Sequence, residues 1–305
     1  MTQAIGVIGL CKDIGRLRVL NGFSMRVPTG QLHGLLGSKG SGKSTVIRIL
    51  MGLQRKDAGH VELLGADPWH EAVELHRRLA YVPSCVQLWP NLSGMEVLDL
   101  IGSLRGGLNA RRKALLMERF ALDPAKKCCT YSAGDRQKLA IVAAFASDAE
   151  LLLLDEPSSG LDPLMEVAFH ECLREVRAAG KTVLLSSHNL FDVVELCHQV
   201  TIVAQGRNLV TATPEELRNL TRMKIVADTP RPLDGLEGLA GVHHVAVDGA
   251  RVTIEVDPAA SDSVSRHLVD HGVRSLSSVP SSLEQLLAQE HRSDGTAGKD
   301  ARHFD

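Results

Sequence analysis

The chain has 305 residues, long enough for one large domain or an ordinary one with a smaller companion. Its formal charge is −2 and its basic residues form no block beyond Arg111–Arg112–Lys113, which argues against a nucleic-acid surface. Met1–Leu10 lacks a signal-peptide pattern and no apolar run reaches a membrane span, while six cysteines without C-x-x-C or zinc spacing suit reduced thiols in cytoplasm.

Residues 4–36 alternate and turn like β-structure, with Pro28–Thr29–Gly30 as a turn and Leu32–Leu36 as a short buried strand. Next comes Gly37–Ser38–Lys39–Gly40–Ser41–Gly42–Lys43–Ser44–Thr45, which fits the phosphate-loop pattern G-x-x-x-x-G-K-[ST]. Val46, Ile47, Ile49, Leu50 and Leu53 follow at helical spacing. Strand, glycine turn and helix is the setting in which that pattern binds phosphate: the turn and the helix start aim backbone N–H groups at an anion. Lys43 adds a point charge, and Ser44 offers a hydroxyl to Mg²⁺. Lys39 is expected as solvated surface.

Further along, the expectation is a strand at Val61–Leu64, a helix at His70–Arg78, a strand at Leu79–Val82 ended by Pro83, and a loop over 84–90. Residues 93–146 are mostly helical, broken at Gly106–Gly107 and Asp123–Pro124. Leu151–Leu154 reads as a strand buried on both faces. Pro163–Ala179 is a helix capped by Asp162, Thr182–Ser186 a buried strand, and Leu190–Cys197 a helix before strands at Val200–Ala204 and Asn208–Thr211. Strands alternating with helices imply an α/β core with a largely parallel sheet.

The character shifts near Thr221. Residues 222–290 read as a separate α+β domain: strands at Lys224–Ala227, Val242–Val247, Val252–Val256 and Val273–Leu276, helices at Ala259–His271 and Ser281–Gln289, and an Asp248–Gly249 hairpin signal. Residues 291–305 lack periodicity and are expected to be a disordered tail.

The strand Leu151–Leu154 ends in Asp155 and Glu156. Beside a phosphate loop, the first carboxylate can hold Mg²⁺, directly or through water, and the second can polarise an attacking water as general base.

Taken in order, the phosphate loop at 37–45, Tyr81–Val82–Pro83, Tyr131–Ser132–Ala133–Gly134–Asp135, Leu151–Glu156, Ser159–Gly160–Leu161–Asp162 and Ser187–His188 resemble the ATP-binding subunit of an ABC transporter, in the drug- and antibiotic-exporter group. The resemblance covers roughly residues 4–220, with an extension to about 290. It implies a P-loop NTPase fold of the ABC type over 1–221, with an inserted helical subdomain at about 88–147, and a small α+β accessory domain at 222–290. It also implies ATP and Mg²⁺ as ligands, Glu156 as the catalytic carboxylate, His188 as a switch histidine at the γ-phosphate, and Asp162 in a loop coupling two sites.

The chain departs from the family pattern at several places. Ile14 stands where an aromatic residue usually covers adenine, a loss of roughly 0.5–1.5 kcal/mol of stacking. Ser84 stands where a metal- and water-contacting glutamine is usual, with Gln87 three residues on. The signature usually reads Leu-Ser-Gly-Gly-Gln; here Ser132 and Gly134 remain, while Tyr131, Ala133 and Asp135 differ. Ser132-x-x-Asp135 satisfies a capping-box pattern, which gives Asp135 a local role pointing away from phosphate.

One phosphate loop and one signature imply that a complete site needs a second copy or a paralogue, because in the family the signature of one chain covers the nucleotide of the other. The resemblance further implies a transmembrane permease partner docking near residues 83–105, where Leu88, Trp89, Pro90 and Leu92 offer an apolar rim. The expected place is the cytoplasmic face of the membrane, reached only through the permease, and the expected role is to power export. The alternative is a regulatory or non-transport ABC ATPase with weak hydrolysis.

Overall fold

The computed structural model describes residues 2–220, 222–229 and 235–280. The chain divides into two compact units, Met1–Thr211 and Ala212–Asp305, so the division falls ahead of the expected 221/222 boundary. Among the described residues no helix is long and apolar enough to cross a membrane.

The first unit contains two sheets. The strands β1 (Gln3–Ile14), β2 (Leu17–Pro28) and β4 (Ala58–Leu63) form an antiparallel sheet in the order β2-β1-β4. The sequence reading anticipated strands here but not a sheet of their own. Ala58–Leu63 finds its partner in β1, with Val61 opposite Val7 and Leu63 opposite Ile5, a pairing that crosses the phosphate loop.

The second sheet holds β3 (Leu32–Leu36), β5 (Leu79–Val82), β6 (Leu151–Asp155), β7 (Thr182–Ser187), β8 (Gln199–Ala204) and β9 (Arg207–Ala212), in the order β5-β6-β7-β3-β8-β9. The pairs β5/β6, β6/β7, β7/β3 and β3/β8 are parallel. Every residue of β3, β6 and β7 is buried, which explains their bare aliphatic runs. His33 is the polar exception in β3; its Nε2 lies 2.8 Å from Thr201 Oγ1, and burial pulls it down to about 4, so the ring stays neutral. The helices α1 (Lys43–Leu50), α2 (Ala72–Arg78), α6 (Pro163–Ala178) and α7 (Leu190–Leu196) alternate with these strands.

The helical insertion comprises α3 (Gly94–Leu104), α4 (Ala110–Arg119), a 3-10 turn at Cys128–Thr130 and α5 (Ala133–Phe145). Ser93 and Glu96 form a full capping box at the start of α3, and the Asn109 side chain caps α4.

The second unit opens with α8 (Pro214–Leu220), which the sequence reading did not assign. Its signal was present: Thr213 and Glu216 exchange capping bonds three residues apart. The strands β10 (Met223–Asp228), β11 (Val242–Asp248), β12 (Arg251–Val256) and β13 (Ser275–Pro280) form an antiparallel sheet ordered β11-β12-β10-β13. The helix α9 (Ser261–Asp270) follows β12, and its Val264 and Leu268 are buried with Ile225, Ile254 and Val256 in a core belonging to this unit alone. The last strand starts at Ser275, two residues later than expected. The expected helix at Ser281–Gln289 and tail at 291–305 lie outside the described residues.

Candidate functional site

The site begins where β3 leaves the sheet. Gly37 has no room for a side chain: a Cβ there would lie 2.5 Å from both Ser41 Oγ and the Val203 carbonyl. Gly42 sits at φ 111° and would drive a Cβ to 2.8 Å from Leu20. These close approaches explain the glycines by sterics. No side chain caps α1, which leaves the first-turn N–H groups available to an anion.

Lys43 is buried at the first position of α1. Its Nζ donates to the Gly37 carbonyl at 2.7 Å and the Ser38 carbonyl at 3.1 Å, and pairs with Glu156 Oε1 at 3.1 Å. Ser38 is half-buried, while Lys39 and Gly40 are exposed at the loop tip. Ser41 and Thr45 are buried, and the Ser41 carbonyl accepts from the Gly206 N–H at 3.1 Å.

Adjacent strand ends supply the carboxylates. In the β6/β7 register Asp155 faces Ser186. Asp155 Oδ1 accepts from Ser186 Oγ at 2.7 Å and from Ser44 Oγ at 3.1 Å, while its Oδ2 is buried without a hydrogen-bond partner. A buried, unsatisfied carboxylate oxygen beside a serine hydroxyl is a hard-oxygen donor set that fits Mg²⁺. Glu156 adopts φ 48°, and its N–H is held by the Ser186 carbonyl and hydroxyl at 3.2 and 3.0 Å. Its second oxygen lies 2.7 Å from His188 Nδ1. Ser186 thus joins the Ser44–Asp155 pair to the Lys43–Glu156–His188 set, making one bonded group. Ser186 was not singled out from sequence; its signal was a small polar residue ending an aliphatic strand beside the carboxylates.

The signature segment caps α5. Ser132 Oγ accepts from the Asp135 N–H at 3.1 Å, and Asp135 Oδ2 accepts from the Ser132 hydroxyl at 2.7 Å and its N–H at 3.1 Å. Burial pushes the Asp135 carboxyl up, but the bonds from Ser132 outweigh it and hold the group below the usual aspartate value. Tyr131 is buried, its hydroxyl donates to the Asp123 carbonyl at 2.7 Å, and burial pushes that hydroxyl up to about 12. A Cβ on Gly94 would collide with this hydroxyl, so the glycine makes room for tyrosine where leucine is usual. Ala133 is exposed at the first position of α5. A Cβ on Gly134 would come within 2.9 Å of the Gly160 carbonyl, so the signature abuts the loop leading to Asp162. Asp162 caps α6 through the N–H groups of Leu164 and Met165, with Lys138 Nζ 3.9 Å from its carboxylate.

Other sequence candidates lie apart from the bonded group. Ile14 ends β1 opposite Leu17 and is 48% exposed. Ser84 is exposed and makes no hydrogen bond among the described residues. Gln87 is exposed, its amide 3.7 Å from Cys85 Sγ. Trp89, 53% exposed, joins Leu88, Ile101, Leu104, Arg105 and Ala140 in lining an apolar groove of about 290 Å³. Pro90 is exposed and Leu92 half-buried beside this groove rather than in its lining, and their carbonyls accept from the N–H groups of Cys129 and Cys128.

A family model described as ABC transporter matches residues 20–159. The chain is 35% identical over 256 residues to the daunorubicin resistance ATP-binding protein DrrA3 of Streptomyces coeruleorubidus, covering 81% of each chain. It is 33% identical to the Nod factor export ATP-binding protein I of Ralstonia nicotianae, over 71% of this chain and 69% of that one. A solved ATP-binding subunit of an ABC transporter superposes with a TM-score of 0.66 at 30% identity, covering 70% of this chain and 92% of the other.

Proposed function

We propose, from the premise that the chain belongs to the ABC transporter family of ATP-binding subunits, that it hydrolyses ATP to power export of a lipophilic, drug-like cargo through a separate transmembrane permease. The observation that carries this reading is the bonded group in which Lys43 and His188 both engage Glu156 while Ser44 engages Asp155.

In this reading the N–H groups of 37–45 and the Lys43 ammonium bind the phosphates. Ser44 and Asp155 would hold Mg²⁺, and the chemistry it supplies when bound is neutralisation of charge on the phosphate oxygens. Glu156 takes a proton from the attacking water, with His188 fixing its carboxylate. Ile14 covers the base. Ser132 and Gly134 cover the nucleotide of a second copy, and Asp162 lies in the loop between the two sites. The groove beside Trp89 receives a permease segment, which would place the subunit on the cytoplasmic face of the membrane.

The first test is phosphate release by the purified chain. Glu156→Gln should lower it by roughly 10²–10⁴-fold while ATP still binds; an equal rate in wild type and variant would refute hydrolysis at this site. Trp89→Ala should reduce stimulation by the permease, and undiminished stimulation would reject the groove as the docking place.

A further inference from the structure

We infer that Gln137 is a positioning residue that links the groove wall to the catalytic carboxylate. The inference rests, for its biological meaning, on the reading of that groove as the permease dock.

Gln137 lies in the second turn of α5 and is 3% exposed. Its Nε2 donates to the Pro157 carbonyl at 3.0 Å and to the Pro83 carbonyl at 3.4 Å. One amide group thus ties together two loops that are far apart in sequence. Pro83 and, beyond it, Val86, Leu88 and Trp89 line the groove. Ala140 and Ala144, three and seven residues beyond Gln137 on the same helix face, line it as well.

The other acceptor directly follows Glu156. The Glu156 backbone is held at φ 48° on its upstream side by Ser186, and its carbonyl accepts from the Ser159 N–H at 3.0 Å. The bond from Gln137 to Pro157 fixes the next peptide on the downstream side. Both acceptors are main-chain carbonyls, so a displacement of either loop moves the acceptor itself. The two hydrogens of one NH₂ group cannot follow two carbonyls that move apart. A shift of Pro83 when the groove fills must therefore stretch the longer 3.4 Å bond or carry Pro157 with it. Removing both donors would strip the two loop carbonyls of these partners, which is costly where they are buried.

Two measurements on the full-length chain test this without a permease. Gln137→Met keeps the side-chain length and removes both donors. ATP hydrolysis should show kcat lowered about tenfold, a 1.4 kcal/mol barrier change, with KM within about twofold. A proportionate loss in both, or no loss, would overturn the assignment. Hydrogen exchange then reads the link directly. Removing the groove's largest wall side chain with Trp89→Ala should change exchange at the Ser158–Gly160 amides by at least about twofold, and Gln137→Met should abolish that response. If Trp89→Ala leaves those amides unchanged, or changes them equally with and without Gln137, the link does not exist. The wild-type and Trp89→Ala comparison stands even if Gln137→Met fails to fold. A permease that ignores Trp89 would reject the docking reading but leave these outcomes intact.

Discussion

The phosphate loop and the signature segment follow different rules of tolerance. At the loop the backbone itself meets its surroundings: Gly37 lies against Ser41 and Val203, and Gly42 against Leu20, at distances no side chain can enter. At the signature, side chains do the capping and three of five positions have changed. Asp135 fills the box with Ser132, Tyr131 reaches the Asp123 carbonyl, and Gly94 gives way to its hydroxyl. Gly134 is retained there, and it is the position where the backbone abuts Gly160. Close approach excludes a side chain at Gly37, Gly42 and Gly134, whereas at Tyr131, Ser132 and Asp135 the bonds are made by side chains.

That contrast can be broken in order of expected effect. Lys43→Ala should weaken ATP binding by about 100-fold or more, ~2.7 kcal/mol, in a calorimetric titration, and exceed any change at Ile14, Ser84, Ala133 or Asp135. Retained tight binding would remove the loop from its leading place. Gly37→Ala should destabilise the fold by about 1–3 kcal/mol through forced displacement of Ser41 or Val203, read from denaturant unfolding. Ile14→Tyr should strengthen ATP binding by roughly 0.5–1.5 kcal/mol, and no gain would show that the base is covered elsewhere.

The smallest effect is at the cap. Asp135→Ala should cost about 0.5–1 kcal/mol of stability, with a defined pH dependence. The folded carboxyl sits below its ordinary value of 3.8, so its contribution is complete above that value and fades as pH falls through the lower, folded one. A wild-type advantage that grew on acidification would contradict the bond network.

Much of this was readable from residues alone. Leu151–Leu154 and Val183–Leu185 announce buried strands because burial on both faces favours aliphatic residues. The phosphate loop and the Ser132/Asp135 box are contiguous, so their spacing carries the geometry. The missing parts are long-range. Nothing local in Ala58–Leu63 says that it pairs with β1, and nothing in Gln137 distinguishes a mid-helix amide bridging Pro83 and Pro157 from one facing solvent. The bonds from the Cys129 and Cys128 N–H groups to the Pro90 and Leu92 carbonyls are likewise long-range, their partners lying almost forty residues on. Thr213–Glu216 is different: its helix-start signal was local and legible.

Glu156 carries a consequence for which substitutions its own position tolerates. Its φ of 48° is uncomfortable for any residue with a Cβ, by roughly 1–2 kcal/mol. Glycine would rest there at ease, and a single nucleotide change converts a glutamate codon into a glycine codon. The backbone is thus biased toward the very substitution that would delete the proposed general base. A Glu156→Gly chain should stay folded and bind ATP, yet release phosphate roughly 10²–10⁴-fold more slowly.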